Sequence, residues 1–517
     1  MALTPVHRPT GDDDPSGPAR APAVVPDHPA GAPAPVAAPA PVGPTAPPRA
    51  PWWRRRGVRI GALTGVLALC GVVLLALVRE QTGNEGFLVG LGLAVLPVPL
   101  LVAAFRWLDR VAPRSWRDVG FCFAWGSCAA ALISIVANSF ATHWIADRTA
   151  DPDGADTLGA TVIAPVVEES AKAAAILLIF LFRRRGLTRL VDGLVVAGIT
   201  AIGFAFAENI LYLGTAFDTD RSNGDAGLAS MTALTFFVRV VMSPFAHPLF
   251  TVLTGIGFGL AAQLPPRLRV RRALAPAAGL LLAMGLHALW NGSTTFGDFG
   301  FFVVYGAVMV PVFGLLTWLA VWARQHELRI LREELPGYVA AGWLGPPEPV
   351  ALGSLRARRL ALDHARRHGG PATRQAVRAY QEYATALGFL RHRGDRGGAG
   401  ADFVVRERAL LDALWELRRW ARPSLAHAAF MTAPRALGYP PYGHPAPYGA
   451  PAGPGYPTAY GHPAPYGATT AYGPAAYGTP TAYGVPVGYG YPTAYGVPPG
   501  QQPYRAPGQG PYGPYGP

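Results

Sequence analysis

Six ionisable side chains fall inside stretches that are otherwise apolar. They are Glu168, Glu169 and Lys172 in "APVVEESAKAAA", Glu208 in "GFAFAENILY", His247 in "SPFAHPLFT" and His287 in "GLHALWNG". Asn209 and Asn291 accompany them, and Lys172 is the only lysine in the chain. A charged side chain inside a membrane span costs roughly 2.5–3.5 kcal/mol on insertion scales, so such residues are functional candidates by default. Glutamates and histidines with no adjacent reactive serine, cysteine or aspartate pair point to an activated water. A carboxylate can take the water's proton as general base, and histidines can stabilise an oxyanion or bind a metal. His247, His287 and Glu169 form a candidate zinc set; the HExxH spacing of soluble zinc proteases is absent, so a metal-free water stays open beside it.

Spacing along each helix refines this. Glu168 and Lys172 are i,i+4, so the lysine is expected to neutralise Glu168 along one helix face. Glu169 points about 100° away and is expected to stay free for chemistry. His287 and Asn291 are also i,i+4, so the amide is expected to orient the imidazole or help hold an oxyanion.

The elements that carry these residues read as membrane helices. Of 517 residues, 50% are hydrophobic and only 15% charged, and the apolar residues come in blocks of about 20, enough to cross a bilayer. Eight spans are expected, at about 58–78, 87–105, 120–141, 161–182, 190–214, 240–263, 273–292 and 300–323. Pro244 and Pro248 make the sixth a kinked span, with an apolar run from Met231 that reads as an interfacial helix. Arginines alternate cleanly between loops. One set carries Arg54–Arg56, Arg106–Arg117, Arg183–Arg189 and Arg267–Arg272; the other has isolated Arg79, Arg148 and Arg221 among acidic residues. The positive-inside rule then places both termini in the cytoplasm. With that topology Glu168, Glu208, His247 and His287 all lie roughly 7–11 Å from the same external face. Arg239 and His143 fall at outer interfaces, where snorkelling accounts for them.

The rest of the chain is of other kinds. Residues 1–51 are Pro/Ala-rich, show no secretory signal pattern and are expected to be disordered. Residues 52–323 form the expected transmembrane domain, and 324–430 a basic helical cytoplasmic region. In the latter, Val377, Tyr380, Ala384 and Leu387 share one face, as do Phe403, Leu410, Leu414, Leu417 and Ala421. Residues 431–517 repeat "HPAPYGA" and "PTAYG" and read as a disordered tether whose partner is unknown. Cys70, Cys122 and Cys128 lie inside apolar blocks and suit packing, not a disulfide framework. The net charge of +13 does not imply nucleic acid, because the arginines flank the spans or lie in the cytoplasmic region, where they suit membrane lipid.

"EESAK", "FAFAEN", "FAHPLF" and "HALWN", in this order on consecutive spans, resemble the PrsW family of intramembrane proteases, related to the CAAX-protease/Abi glutamate group. The resemblance covers roughly residues 58–323. It implies an all-α polytopic protease that cuts a membrane-anchored protein near its extracytoplasmic side. Among characterised relatives the substrate is a single-span anti-sigma factor, cut at site 1. By the resemblance Glu168, Glu169 and His247 would be the core catalytic set, completed by Glu208, His287 and Asn291, with Lys172 and Asn209 in support. The cofactor it implies is zinc, or none where a Glu/His-activated water serves.

A proton-coupled transporter or channel using the Glu/His cluster as a relay is the alternative. It fits less well, because no repeat relates the two halves and the cluster lies off the midplane. A silent scaffold acting through the tail is a third reading. The topology has a direct test. Cysteines at Asp153, Asp220 or Gly297 should react with an impermeant thiol reagent on intact cells, and one at Gly186 should not. Labelling at Gly186 would reverse the depth assignment.

Overall fold

The computed structural model describes residues 56–433, apart from 183–185, 266, 298 and 399. Segment 1–51, nearly all of 431–517 and the arginines at 54–55 and 183–185 lie outside the described residues. The chain divides into two units, Met1–Arg59 and Ile60–Pro517, and apart from the first residues of α1 everything below concerns the second.

Among the described residues the regular structure is entirely helical. The first elements are α1 (Arg56–Val95), α2 (Pro97–Leu108), α3 (Trp116–Ala124), α4 (Ala131–Thr149), α5 (Pro152–Leu158) and α6 (Ala164–Phe182). Then come α7 (Leu190–Asn223), α8 (Met231–Phe236), α9 (Ala246–Gln263), α10 (Arg269–Asn291), α11 (Gly300–Val304) and α12 (Val310–Glu334). The last four are α13 (Pro336–Ala340), α14 (Glu348–Leu352), α15 (Leu355–Asp395) and α16 (Phe403–Thr432). Wide π-helical turns join α3 to α4, α5 to α6 and α11 to α12, and a fourth, Phe237–Met242, extends α8.

Among the described residues six segments are long and apolar enough to cross a membrane: Gly57–Leu108, Trp116–Thr149, Leu190–Asn223, Met231–Gln263, Arg269–Phe296 and Gly300–Ala340. A helix suits that setting because it satisfies its backbone groups internally. The first two expected spans both fall within Gly57–Leu108. That segment breaks at Gly83, whose φ of 69° suits glycine. The fourth expected span corresponds to α6, set apart by its three charges. The sixth is interrupted, as its prolines suggest: Ser243 to Phe245 separate the π-helical turn from α9.

α7 is the central post. Within its most apolar window 89% of residues are buried, against 11–39% in the other five segments. α9 packs on α7 and on α10, and α6 touches all three. Two glycines permit the α7–α9 crossing: a Cβ on Gly193 would run into the Gly255 carbonyl, and one on Gly255 into that of Gly193. Small residues at such crossings let helix backbones approach where lipid offers no hydrophobic drive.

A second core lies in the helices after the spans. Val377, Tyr380, Ala384 and Leu387 are buried together with Leu411, Leu414 and Ala421; Leu410 and Leu417 pack against them from the edge. This core is bolted to the base of α7. Arg189 donates to Glu327 (3.0 Å) and to the Ala112 carbonyl (3.1 Å), while Arg358 donates to the Val111 carbonyl (2.8 Å). Asp192 caps α7 by accepting from the Thr188 and Arg189 amides, both at 2.9 Å. Nearby, burial pushes the Asp109 carboxyl up to about 6, although the Arg114 amide donates to it.

Candidate functional site

α5 is capped by Asp151, and the π-helical turn Gly159–Ile163 then leads into α6, whose second turn carries the two glutamates. Glu169 is fully buried and its oxygens are taken. Oε1 accepts from Lys172 Nζ (2.8 Å) and lies 3.2 Å from His287 Nδ1; Oε2 accepts from the Thr251 hydroxyl (2.8 Å). Lys172 Nζ also reaches His247 Nδ1 at 3.2 Å and sits 3.8 Å from the Phe204 ring centroid. Its contact with Glu168 is the longer one, 3.4 Å.

The expected Lys172–Glu168 pair is present, but Glu169, expected to be free, holds the lysine more closely. A lysine reaches carboxylates at both i−3 and i−4 on a helix, so the choice falls to other elements. Thr251 on α9 and His287 on α10 draw Glu169 inward beside the ammonium. Glu168 is the carboxylate left facing open space.

That space is a cavity of about 860 Å³. Glu168, Glu208 and His247 line it, together with Asn209, Tyr212, Arg239 and Asn291, whereas Glu169, Lys172 and His287 are not among its walls. His247, on the first turn of α9, places Nε2 2.5 Å from Glu208 Oε2. The His287 ring stacks on Phe250 at 4.7 Å and lies 5.3 Å from the His247 ring. The structure therefore brings Glu168, Glu169, Lys172, Glu208, His247 and His287 into one group from α6, α7, α9 and α10.

Asn291 does something other than expected. It lines the cavity, but its amide donates to the Ala160 carbonyl (2.9 Å) and so ties the end of α10 to the turn before α6. Asn209 accepts from Arg239 (2.8 Å). Sequence reasoning missed two participants. Thr251 lies one helical turn after His247, a spacing that could have flagged it. Arg239 turns inward to Glu208 at 2.6 Å instead of snorkelling, and its charge within an apolar run was the available signal.

One carboxylate and two imidazoles could hold a metal. Glu168, His247 and His287 each offer a ligand atom, all within 4.8 Å of one another. The donor types suit zinc, but both His247 nitrogens already have partners, Glu208 at Nε2 and Lys172 at Nδ1, so a metal would have to displace one of them. With Nδ1 of His287 against Glu169, Nε2 is the nitrogen left over, and a carboxylate bracing the far nitrogen is the usual support for a metal-binding histidine. Glu169, expected as a ligand, stands behind His287, and Glu168 takes its place in the set.

Residues 114–316 match the model of the PrsW family intramembrane metalloprotease, so this stretch is a domain of that family of peptide hydrolases. The match runs from the loop before α3 into α12 and includes every residue of the group. The chain is thus a multi-pass membrane protein. No curated protein and no solved structure matches it.

The inward placement of Glu169 has a measurable consequence. Removing one partner of a buried ion pair typically costs about 3–5 kcal/mol. Glu169→Gln should therefore lower the thermal stability of the detergent-solubilised protein strongly, and Glu168→Gln much less, because Lys172 keeps its shorter contact. Equal losses in a thermal-shift assay would contradict the assignment.

Proposed function

We propose that this chain is an intramembrane endopeptidase that cleaves a single-span membrane protein near its extracytoplasmic face. The substrate by family resemblance is an anti-sigma factor-like protein, cut at its first site. The observation that carries the proposal is the cavity: it brings a buried carboxylate, Glu168, and an imidazole, His247, to a space large enough for an extended peptide segment. The Glu/His relay of a transporter finds less support, since the family match is to a peptide hydrolase.

Depth and orientation follow the arginine pattern. Eight spans with both termini cytoplasmic remain the proposed topology. It is supported by the cavity walls at Pro152, Asp156 and Thr294, which belong to arginine-poor loops. The domain order proposed is likewise 52–323 for the protease, then the helical region to 430 and the tail.

The chemistry assigned to the chain's own groups is peptide hydrolysis by water. Glu168 is the carboxylate that meets the attacking water in the cavity. Glu208 holds His247 at Nε2, while Lys172 sits at Nδ1, so the ring cannot turn away from the cavity. Glu169, Thr251 and His287 brace the lysine and the far side of the group. A metal held by Glu168, His247 and His287 would supply Lewis-acid polarisation of the carbonyl and a more acidic water. Amide groups of Asn209 and Asn291 on the walls are suited to bind substrate backbone, which a membrane helix hides until it unwinds.

Glu168→Gln should lower cleavage of a single-span substrate by about 10²–10⁴-fold while the protein stays folded. Mass spectrometry of the fragments should place the cut at the extracytoplasmic end of the substrate's span, and helix-breaking residues there should help. Full activity in Glu168→Gln, or a cut at the cytoplasmic end, would overturn the proposal.

A further inference from the structure

One guanidinium grips a whole turn of α7. Arg239 donates through Nη2 to Glu208 Oε2 (2.6 Å) and through Nε to Asn209 Oδ1 (2.8 Å). Its guanidinium carbon lies 4.0 Å from the centroid of the Tyr212 ring, one turn further along the same helix. The Glu208 oxygen that it holds is the one 2.5 Å from His247 Nε2. The carboxylate is therefore fixed between a guanidinium on one side and the imidazole on the other.

Snorkelling does not describe this arrangement. A snorkelling arginine extends its head toward water, but the Arg239 side chain is only 21% exposed. Phe237 and Val241, two residues to either side, are 54% and 56% exposed. The cause is local. Arg239 sits in the π-helical turn Phe237–Met242, and turns of this kind shift the register of a helix and often mark functional sites. The segment is anchored at both ends. Asp220 accepts from the Met231 and Thr232 amides (2.7 and 2.8 Å), and the Tyr305 hydroxyl donates to the Met242 carbonyl (2.9 Å). From Met242 only the break at Ser243–Phe245 separates the segment from α9 and His247. Arg239 thus ties the approach to His247 to the helix that carries Glu208.

We propose that Arg239 is a positioning residue of the site: it holds Glu208 against His247 and so keeps the imidazole aimed into the cavity. The inference deepens the peptidase reading and rests on it. Arginine suits the task because its planar fork reaches two acceptors at once, here on adjacent residues of α7. Lysine is a point charge whose three donors spread from one flexible nitrogen, so it lacks the rigid fork that spans the Glu208 and Asn209 acceptors.

The test uses the full chain in detergent with Arg239→Gln and Arg239→Lys, and two readouts. The first is cleavage of tagged single-span model proteins. Arg239→Gln should lower kcat about tenfold or more with KM unchanged, the pattern of a lost transition-state arrangement, and Arg239→Lys should recover part of it. The second needs no turnover: diethyl pyrocarbonate modification of His247, measured by mass spectrometry relative to His143 on the cavity wall. The ratio should rise in Arg239→Gln, because Glu208 no longer covers Nε2, and rise less in Arg239→Lys. A rise in KM alone would overturn the proposal, since Arg239 would then be acting on substrate. So would unchanged His247 reactivity, even with a lower yield of folded protein. If the unaltered chain cleaves none of the model proteins, the peptidase reading fails, and the labelling ratio still upholds or overturns the hold on Glu208.

Discussion

A buried ammonium needs compensation, and Lys172 sets the terms for everything around it. The side chain is completely buried in the helix bundle, where an unpaired charge would cost several kcal/mol. Its partners come from two helices: Glu168 and Glu169 on its own, and His247 on α9. Phe204 on α7 closes the fourth side with its ring face. Because the lysine sits closer to Glu169, one carboxylate is committed to structure and the other is left for the cavity. The two adjacent glutamates are therefore not equivalent, although the sequence presents them as a pair.

The helix packing follows from the need to deliver those partners. Thr251 and His287 can reach Glu169 only if α9 and α10 lie close to α6, and the Gly193–Gly255 crossing brings α9 against α7. α7 carries Glu208 near its middle, and its N-terminal end is fixed by Arg189, Asp192 and Glu327. A rigid, buried α7 is what lets Glu208 hold His247 in a constant position. The segment before α9 is broken, and it is here that Arg239 reconnects the chain to α7.

Much of this arrangement was legible in the sequence, for a physical reason. Charges in apolar helices are too costly to be incidental, so Glu168, Glu169, Lys172, Glu208, His247 and His287 announced themselves, and the periodicity of Val377, Tyr380, Ala384 and Leu387 gave the second core. What the sequence could not supply was the choice between equivalent neighbours. Lysine reaches i−3 and i−4 alike, and only Thr251 and His287 decide for Glu169. Asn291 could have turned to His287, yet it meets the Ala160 carbonyl across the bundle. Arg239 looked like an interfacial residue because a π-helical turn, invisible in the residue pattern, rotates it inward.

The central claim is that Glu168 faces the cavity and Glu169 does not. Covalent labelling of carboxylates tests it most directly. The folded protein in detergent is treated with a water-soluble carbodiimide and a small amine, and the modified residues are identified by mass spectrometry. Glu168 should be modified and Glu169 spared. Modification of Glu169 with Glu168 protected would contradict the account.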